Sequence, residues 1–370
     1  MRAQGQALTG QAASRQRAPE EPGPGEVTAA VDATLAAFLA ERVADLRTLD
    51  PALGPVGQAV EGLVNAGGKR LRPAFVYWGY RATGAAHDPA VYDPAAAVEL
   101  LHTFALIHDD IMDRSVERRG SPAVHTALAA AHATEQLAGD GDWFGVGGGI
   151  LAGDLAFVWA DWLFDEADLD PVALARARRV FTTLRVEVMA GQYLDLRLAG
   201  HRSASEADAR RVALLKSGRY TVTRPLELGA ALGGADAART AALGVYGDAL
   251  GLAFQLRDDV LGMFGDPSAT GKGAIEDLRE GKRTVLVLRA LELADPAGRR
   301  LLEAALGTPD LDEDDAARAR QVIVDSGALA AVEALLAEEH DTARGALTAV
   351  PEPARSALAD LADLAVRRDT

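Results

Sequence analysis

The sequence predicts an all-α protein, a single domain of about a dozen helices, several of them long. Three observations point there. Of 370 residues, 49% are hydrophobic and 25% charged, the balance of a chain that buries a large core. Aromatic residues are only 5%, and alanine and leucine outweigh the β-branched and aromatic runs that strands favour. From Val27 onward apolar residues recur at helical spacing, with no strand alternation, hairpin signal or fixed-period repeat.

Residues 1–26 are rich in Gln, Ala, Arg, Pro and Gly and close in Pro19-Glu20-Glu21-Pro22-Gly23-Pro24-Gly25. They lack the apolar periodicity that would offset the entropy of ordering, so they read as a disordered tail ahead of a helical domain over 27–370. The tail is either a neutral extension or a docking segment for a partner. Asp93 and Pro94 take N-cap and first-turn positions of a helix over Ala95–Asp113, and Asp170-Pro171 repeats the device ahead of Val172–Leu198. Ser203 with Glu206 forms a capping box for a segment running to Ser217. Ala235–Phe264 is one long helical segment, and after Gly281 short helices alternate with Gly or Pro stops.

A net charge of −16 repels phosphate backbones and anionic lipid, so nucleic acid is not an expected partner, and an anionic ligand needs local cations or metal ions. The absence of cysteine removes disulfides, thiol catalysis and thiolate metal sites, leaving carboxylates and histidines as ligands. No uninterrupted apolar run of about 18 residues and no apolar leader segment is read, so the expectation is a cytoplasmic protein without a membrane span.

Two acidic clusters carry the chemistry. Asp109, Asp110 and Asp113 close an apolar helix, with Asp109 and Asp113 one turn apart on one face. Like charges there repel one another and oppose the helix dipole, which calls for a compensating cation. Hard oxygen ligands suit Mg²⁺, which keeps waters and bridges carboxylates to phosphates. Taken alone, the triplet reads first as a solvated helix end. Asp258 and Asp259 form a second pair inside another apolar helix, where unpaired charge is costly. If the two helices face one another, the clusters hold metal ions between them and clamp a diphosphate. A carboxylate di-metal bundle would need Glu-x-x-His motifs, and none is read.

Of 38 basic residues only four are lysines: Lys69, Lys216, Lys272 and Lys282. Lys69 follows Gly67-Gly68 and leads into Arg70 and Arg72, while Lys272 and Lys282 each follow a glycine after the second acidic pair. Point-charge donors beside flexible backbone suggest phosphate ligands, although helix C-terminal lysines would read the same way singly. Arg118 and Arg119 follow the first cluster closely enough to reach the same cavity mouth. His102 reads as a core histidine or a ligand, and Gln192 and Asp195 stay open.

Together these residues resemble the trans-isoprenyl diphosphate synthases of the farnesyl and geranylgeranyl type. The motifs occur in the family's order: Gly-Gly-Lys-Arg-x-Arg-Pro, His-Asp-Asp-x-x-Asp, the Arg118-Arg119 pair, Gly-Gln-x-x-Asp, Lys216-Ser217, and Phe-Gln-x-x-Asp-Asp, from about Val27 to the C-terminus. The resemblance implies the isoprenoid synthase fold around a deep central cavity, a homodimer, and three Mg²⁺ ions with substrates bound. It implies that Asp109 and Asp113 hold two metals and Asp258 the third, with Asp110 and Asp259 acting through water. Arg118, Lys216, Gln255, Lys272 and Lys282 would face an allylic diphosphate, and Lys69, Arg72, His102 and Arg119 isopentenyl diphosphate. Asp109, Asp113, Lys216, Gln255 and Asp258 carry the catalytic roles, with the Ser217 hydroxyl and Gln255 amide near a carbocation.

Two departures stand out: Gly262 where many members carry a third aspartate, and Ser217 where threonine is commoner. Phe104, five residues before Asp109, with Ala105 one turn below Asp109, resembles the arrangement that forms geranylgeranyl diphosphate. Farnesyl diphosphate, a longer product, and a non-catalytic subunit of a heteromeric synthase are the alternatives. A class I terpene cyclase would carry an Asn-Asp…Ser…Glu pattern where this chain has Asp258-Asp259 and Gly262.

Overall fold

The computed structural model describes residues 22–118, 120–201, 203–265 and 275–366. They form α1 (Pro24–Leu49), α2 (Gly54–Asn65), α3 (Leu71–Arg81), α4 (Tyr92–Met112), α5 (Val124–Thr134), α6 (Gly141–Asp165) and α7 (Pro171–Ala199). Next, α8 (Glu206–Val212) runs through a π-helix (Ala213–Thr223) into α9 (Arg224–Gly233), followed by α10 (Ala237–Phe264) and α11 (Glu276–Arg279). The C-terminal part holds α12 (Val285–Leu293), α13 (Pro296–Ala305), α14 (Glu313–Asp325), α15 (Ala328–Ala346) and α16 (Ala354–Val366). The all-α expectation holds.

Boundaries shift where a local partner was misjudged. Helix α1 begins at Pro24 rather than Val27, because Pro24 sits at its first position and the Glu26 carboxylate accepts from the Gly23 N–H at 2.7 Å. Helix α4 begins at Tyr92, fed by a 3₁₀ turn over Pro89–Val91 that Asp88 caps, so Asp93 becomes a first-turn acid. The capping box of α8 is Ser205 with Asp208, since Glu206 is drawn to Arg210 and Arg289 instead. Asp170 caps α7 as expected, accepting from Ala173 N–H at 2.9 Å. An unexpected two-residue ladder pairs Glu117-Arg118 with Ser121-Pro122, too short to show alternation in sequence.

Helix α10 runs through the centre, between α15 and the π-helix, while α4 lies along α6 and α3 along α9. Glycines let the central backbones touch. A Cβ on Gly251 would stand 2.7 Å from Gly218 Cα of the π-helix, and one on Gly191 of α7 would stand 2.4 Å from Lys216 N. Residues that bear the site are thus seated by backbone contact.

Two segments, Pro89–Met112 and Gly141–Asp165, are long and apolar enough to cross a membrane by length and composition, although neither is an uninterrupted apolar run: Asp93 and Glu99 break the first, Asp154 and Asp161 the second. The first is 67% buried among other helices, as a core helix of a helical bundle is.

Candidate active site

The C-terminal end of α4 presents the first acidic cluster. Asp110 is almost fully buried and takes both its oxygens to Arg118 Nε, at 2.7 and 2.8 Å. Asp109 faces Arg118 at 3.7 Å, accepts from Gln192 Nε2 at 2.9 Å and meets Lys216 Nζ at 3.3 Å. Lys216 also lies 2.6 Å from Asp195. Gln192 and Asp195, left open by the sequence, therefore belong to the site. Asp113 stands 3.6 Å from Lys282 Nζ, which also reaches Asp277 at 3.5 Å and Glu280 at 2.5 Å.

Opposite, α10 carries Gln255, Asp258 and Asp259. A cavity of ≈ 470 Å³ separates the two sets, lined among others by Asp109, Lys216, Ser217, Gln255, Asp258 and Lys282. The Gln255 amide donates to buried Asp259 at 2.7 Å. At position 262 a Cβ would come within 2.3 Å of Asp277 Oδ2. The Asp277 carboxylate thus fills the space a side chain at 262 would need, restoring a third acid to the cluster from a different helix.

Burial pushes the Asp259 carboxyl up from 3.8 to about 8, with Asp277 and Asp258 adding to it. Burial and then neighbouring Asp109 raise Asp113 from 3.8 to about 6. Burial would lower the Lys216 and Lys282 ammonium groups, but the surrounding carboxylates outweigh it and hold both above their ordinary value. Across the window from 3.8 to about 6 and about 8 the folded protein keeps protons that the unfolded chain has released, so metal-free stability falls as pH rises. Melting curves without metal should show that fall, and added Mg²⁺ should recover more stability at the upper end of the window than at the lower. A metal-free melting temperature that climbs through the same range contradicts these shifts.

The residues fit a hydrated hard cation. Asp113 Oδ2 is buried and accepts no hydrogen bond. Among the described residues no three acidic or imidazole groups converge closely enough to hold an ion by themselves, which suits Mg²⁺ completed by water and phosphate oxygens.

A second cationic group forms away from this cavity. Arg70, in the left-handed region at φ 47°, is buried and held by Asp32 at 2.8 Å, Glu99 at 2.7 Å and Val64 O at 2.7 Å. That anchor fixes the turn that carries exposed Lys69 and the start of α3, where inward Arg72 sits. The Arg72 guanidinium lies 4.5 Å over the Tyr220 ring and donates to Thr221 Oγ1 at 2.9 Å, while His102 Nδ1 meets the Tyr220 hydroxyl at 2.9 Å. Tyr220 joins two expected ligands, and the sequence reading missed it. The π-helix changes the register from Ala213 on, so α-helical spacing gave no signal for Tyr220.

Arg119 and Lys272 lie outside the described residues. Phe104 packs its ring on His108 at 4.7 Å and on Phe157 of α6 at 5.0 Å, and neither Phe104 nor Ala105 lines the ≈ 470 Å³ cavity.

Comparison with known proteins gives one family. The polyprenyl synthetase family model matches residues 55–323. A geranylfarnesyl diphosphate synthase from Aeropyrum pernix is 37% identical over 293 residues, 78% of this chain and 86% of that protein. A geranylgeranyl diphosphate synthase from Mycobacterium tuberculosis is 33% identical over 303 residues, 82% of this chain and 80% of that one. The crystal structure of a Corynebacterium glutamicum geranylgeranyl pyrophosphate synthase, complexed with isoprenyl diphosphate and magnesium, superposes with a TM-score of 0.90 at 36% identity, covering 94% of this chain and all of that one. With two aspartate clusters facing across a lysine-lined cavity in the same fold, the chain belongs to the polyprenyl synthetase family of trans-isoprenyl diphosphate synthases and is a prenyltransferase.

Proposed function

We propose that the chain joins an allylic diphosphate to isopentenyl diphosphate and releases a longer trans-prenyl diphosphate. The observation that carries this is the pair of facing acidic clusters, each interleaved with lysine, around one cavity. Asp109 and Asp113 would hold two Mg²⁺ ions and Asp258, supported by Asp277, a third. Bound there, Mg²⁺ supplies Lewis-acid stabilisation of negative charge on a leaving diphosphate.

Lys216, Lys282 and Arg118 bind the allylic diphosphate and stabilise the charge that develops as its C–O bond opens. Each is held by carboxylates in the free protein, so each is already oriented. Lys69, Arg72 and His102 hold the second diphosphate so that the double bond of isopentenyl diphosphate meets the allylic cation. Ser217 and Gln255, on the cavity wall, present a hydroxyl and an amide to that cation. The departing diphosphate takes the last proton. Arg119 and Lys272 are assigned to the two diphosphates by motif position alone.

Geranylgeranyl diphosphate is the product we favour. The similar proteins named above carry names of two different product lengths, so the support is the position of Phe104 and Ala105 on α4 just before Asp109, with Phe104 backed by Phe157 of α6. A homodimer is part of the proposal, supported by the exposed apolar faces of α6 (Leu151, Val158, Trp162) and α7 (Val186, Tyr193). So is a cytoplasmic location, supported by the burial of the more deeply packed of the two apolar segments. Docking by the N-terminal tail remains a proposal whose residues, up to 21, lie outside those described.

The test is the purified chain alone with Mg²⁺, isopentenyl diphosphate and a set of allylic primers, products read by chromatography after dephosphorylation. A twenty-carbon product is expected, with Phe104→Ala shifting it longer and Ala105→Phe shorter. Turnover only with an added partner chain would overturn the catalytic reading; unchanged lengths in both variants would move the floor to another wall, such as Leu101.

A further inference from the structure

Among the described residues three cations line the aspartate cavity: Lys216, Lys282 and Arg283. The two lysines are already engaged by carboxylates, Lys216 by Asp109 and Asp195, Lys282 by Asp113, Asp277 and Glu280. Arg283 is not. Among the described residues no carboxylate lies within ion-pair distance of it, and its Nε is buried without a hydrogen-bond partner. A guanidinium nitrogen left unsatisfied in a buried place is costly, and in an acidic protein a neighbouring aspartate would readily have met it.

The backbone that carries Arg283 is fixed on both sides. Lys282 N–H donates to Asp277 O at 2.9 Å, Gly281 N–H to Leu278 O at 3.0 Å, and Gly307 N–H to the same Leu278 O at 2.8 Å. Immediately after Arg283, the Thr284 hydroxyl caps α12 by accepting from Val287 N–H at 3.2 Å. The side chain is therefore presented to the cavity from a rigid turn, and an anion arriving there meets a donor that needs little reordering. The second cationic group cannot be its partner site, since Lys69, Arg72 and His102 do not line this cavity.

We propose that Arg283 is a further substrate-binding residue, donating hydrogen bonds to a phosphoryl oxygen of the diphosphate held between the two aspartate clusters. The proposal rests on the reading of this cavity as the allylic subsite. A planar fork of donors suits a terminal phosphoryl group better than a third lysine would, and it adds a contact that the two lysines, shared with aspartates, do not make. Because the contact follows the diphosphate and not the hydrocarbon, it should matter equally for every allylic primer length.

The probe is inorganic pyrophosphate with Mg²⁺, titrated calorimetrically into the full-length protein and into Arg283→Gln and Arg283→Lys. The expected result is a loss of about 10- to 100-fold in affinity for Arg283→Gln, the size of a charge-assisted hydrogen bond, with a smaller loss for Arg283→Lys. In turnover, Arg283→Gln should raise the KM for the allylic diphosphate and leave the KM for isopentenyl diphosphate unchanged. Thermal melts of both variants establish that they are folded. Wild-type affinity in Arg283→Gln, or an equal rise in both KM values, would overturn the assignment while leaving the allylic subsite standing. Failure of the wild-type chain to bind Mg²⁺-pyrophosphate would overturn the subsite reading and this proposal with it.

Discussion

Alanine at Asp113 is expected to lower turnover by roughly three orders of magnitude or more at saturating Mg²⁺, a barrier increase of about 4 kcal/mol, while the metal-free protein melts no lower than wild type. The two readouts separate because the carboxylate is a liability to the empty fold. It is buried, has one oxygen without a hydrogen bond and carries a pKa raised to about 6 by burial and Asp109. Removing it takes away repulsion, so a catalytic loss cannot be blamed on unfolding. Asp109→Ala should show a similar kinetic loss, but it also strips partners from Gln192 and Lys216, and its stability is expected to fall slightly. Turnover near wild type in Asp113→Ala would remove that residue from the metal site.

Gly251→Ala and Gly191→Ala are expected to be the most damaging single-methyl changes near the site. The added carbon at 251 would lie 2.7 Å from Gly218 backbone, and at 191 it would lie 2.4 Å from Lys216 backbone. Neither neighbour is a flexible side-chain end that can swing aside, so helices must separate. A loss of about 3 kcal/mol in unfolding free energy is expected for each, at the upper end of overpacking costs. Activity should fall further than stability alone explains, because the strand of backbone displaced carries Lys216 and Ser217. Denaturant titration together with kcat on the folded fraction checks this. Unchanged stability in both variants would mean that the crossing has slack the contacts do not show.

What could be read from residues and what could not divides along range. The helical character, the Asp170 cap and the two acidic clusters were legible because each depends on neighbours within about a turn. The facing of α4 and α10 was only a condition in the sequence and became a shared cavity lined by both helices in the structure. Gly262 read only as a departure from the family's third aspartate, since nothing local announces that Asp277, fifteen positions on, occupies the space a side chain there would need. Tyr220 was hidden by a π-helix that no residue pattern marks, and Arg70 stood unassigned between Lys69 and Arg72, because its partners Asp32 and Glu99 lie far away in the chain. Phe104 shows the opposite limit: its position on α4 was plain, whereas its turn toward Phe157 of α6 depends on a packing partner far away in the chain.

The central claim is that two separate cationic groups serve two different diphosphates. The measurement that tests it most directly is the pair of KM values, for isopentenyl diphosphate and for the allylic substrate, in Lys69→Ala, Arg72→Ala and Arg118→Ala. The first two are predicted to raise the isopentenyl diphosphate KM with kcat little changed, because their contacts exist in ground and transition states alike, whereas Arg118→Ala raises the allylic KM. If all three variants disturb the same substrate, the two-subsite account is contradicted.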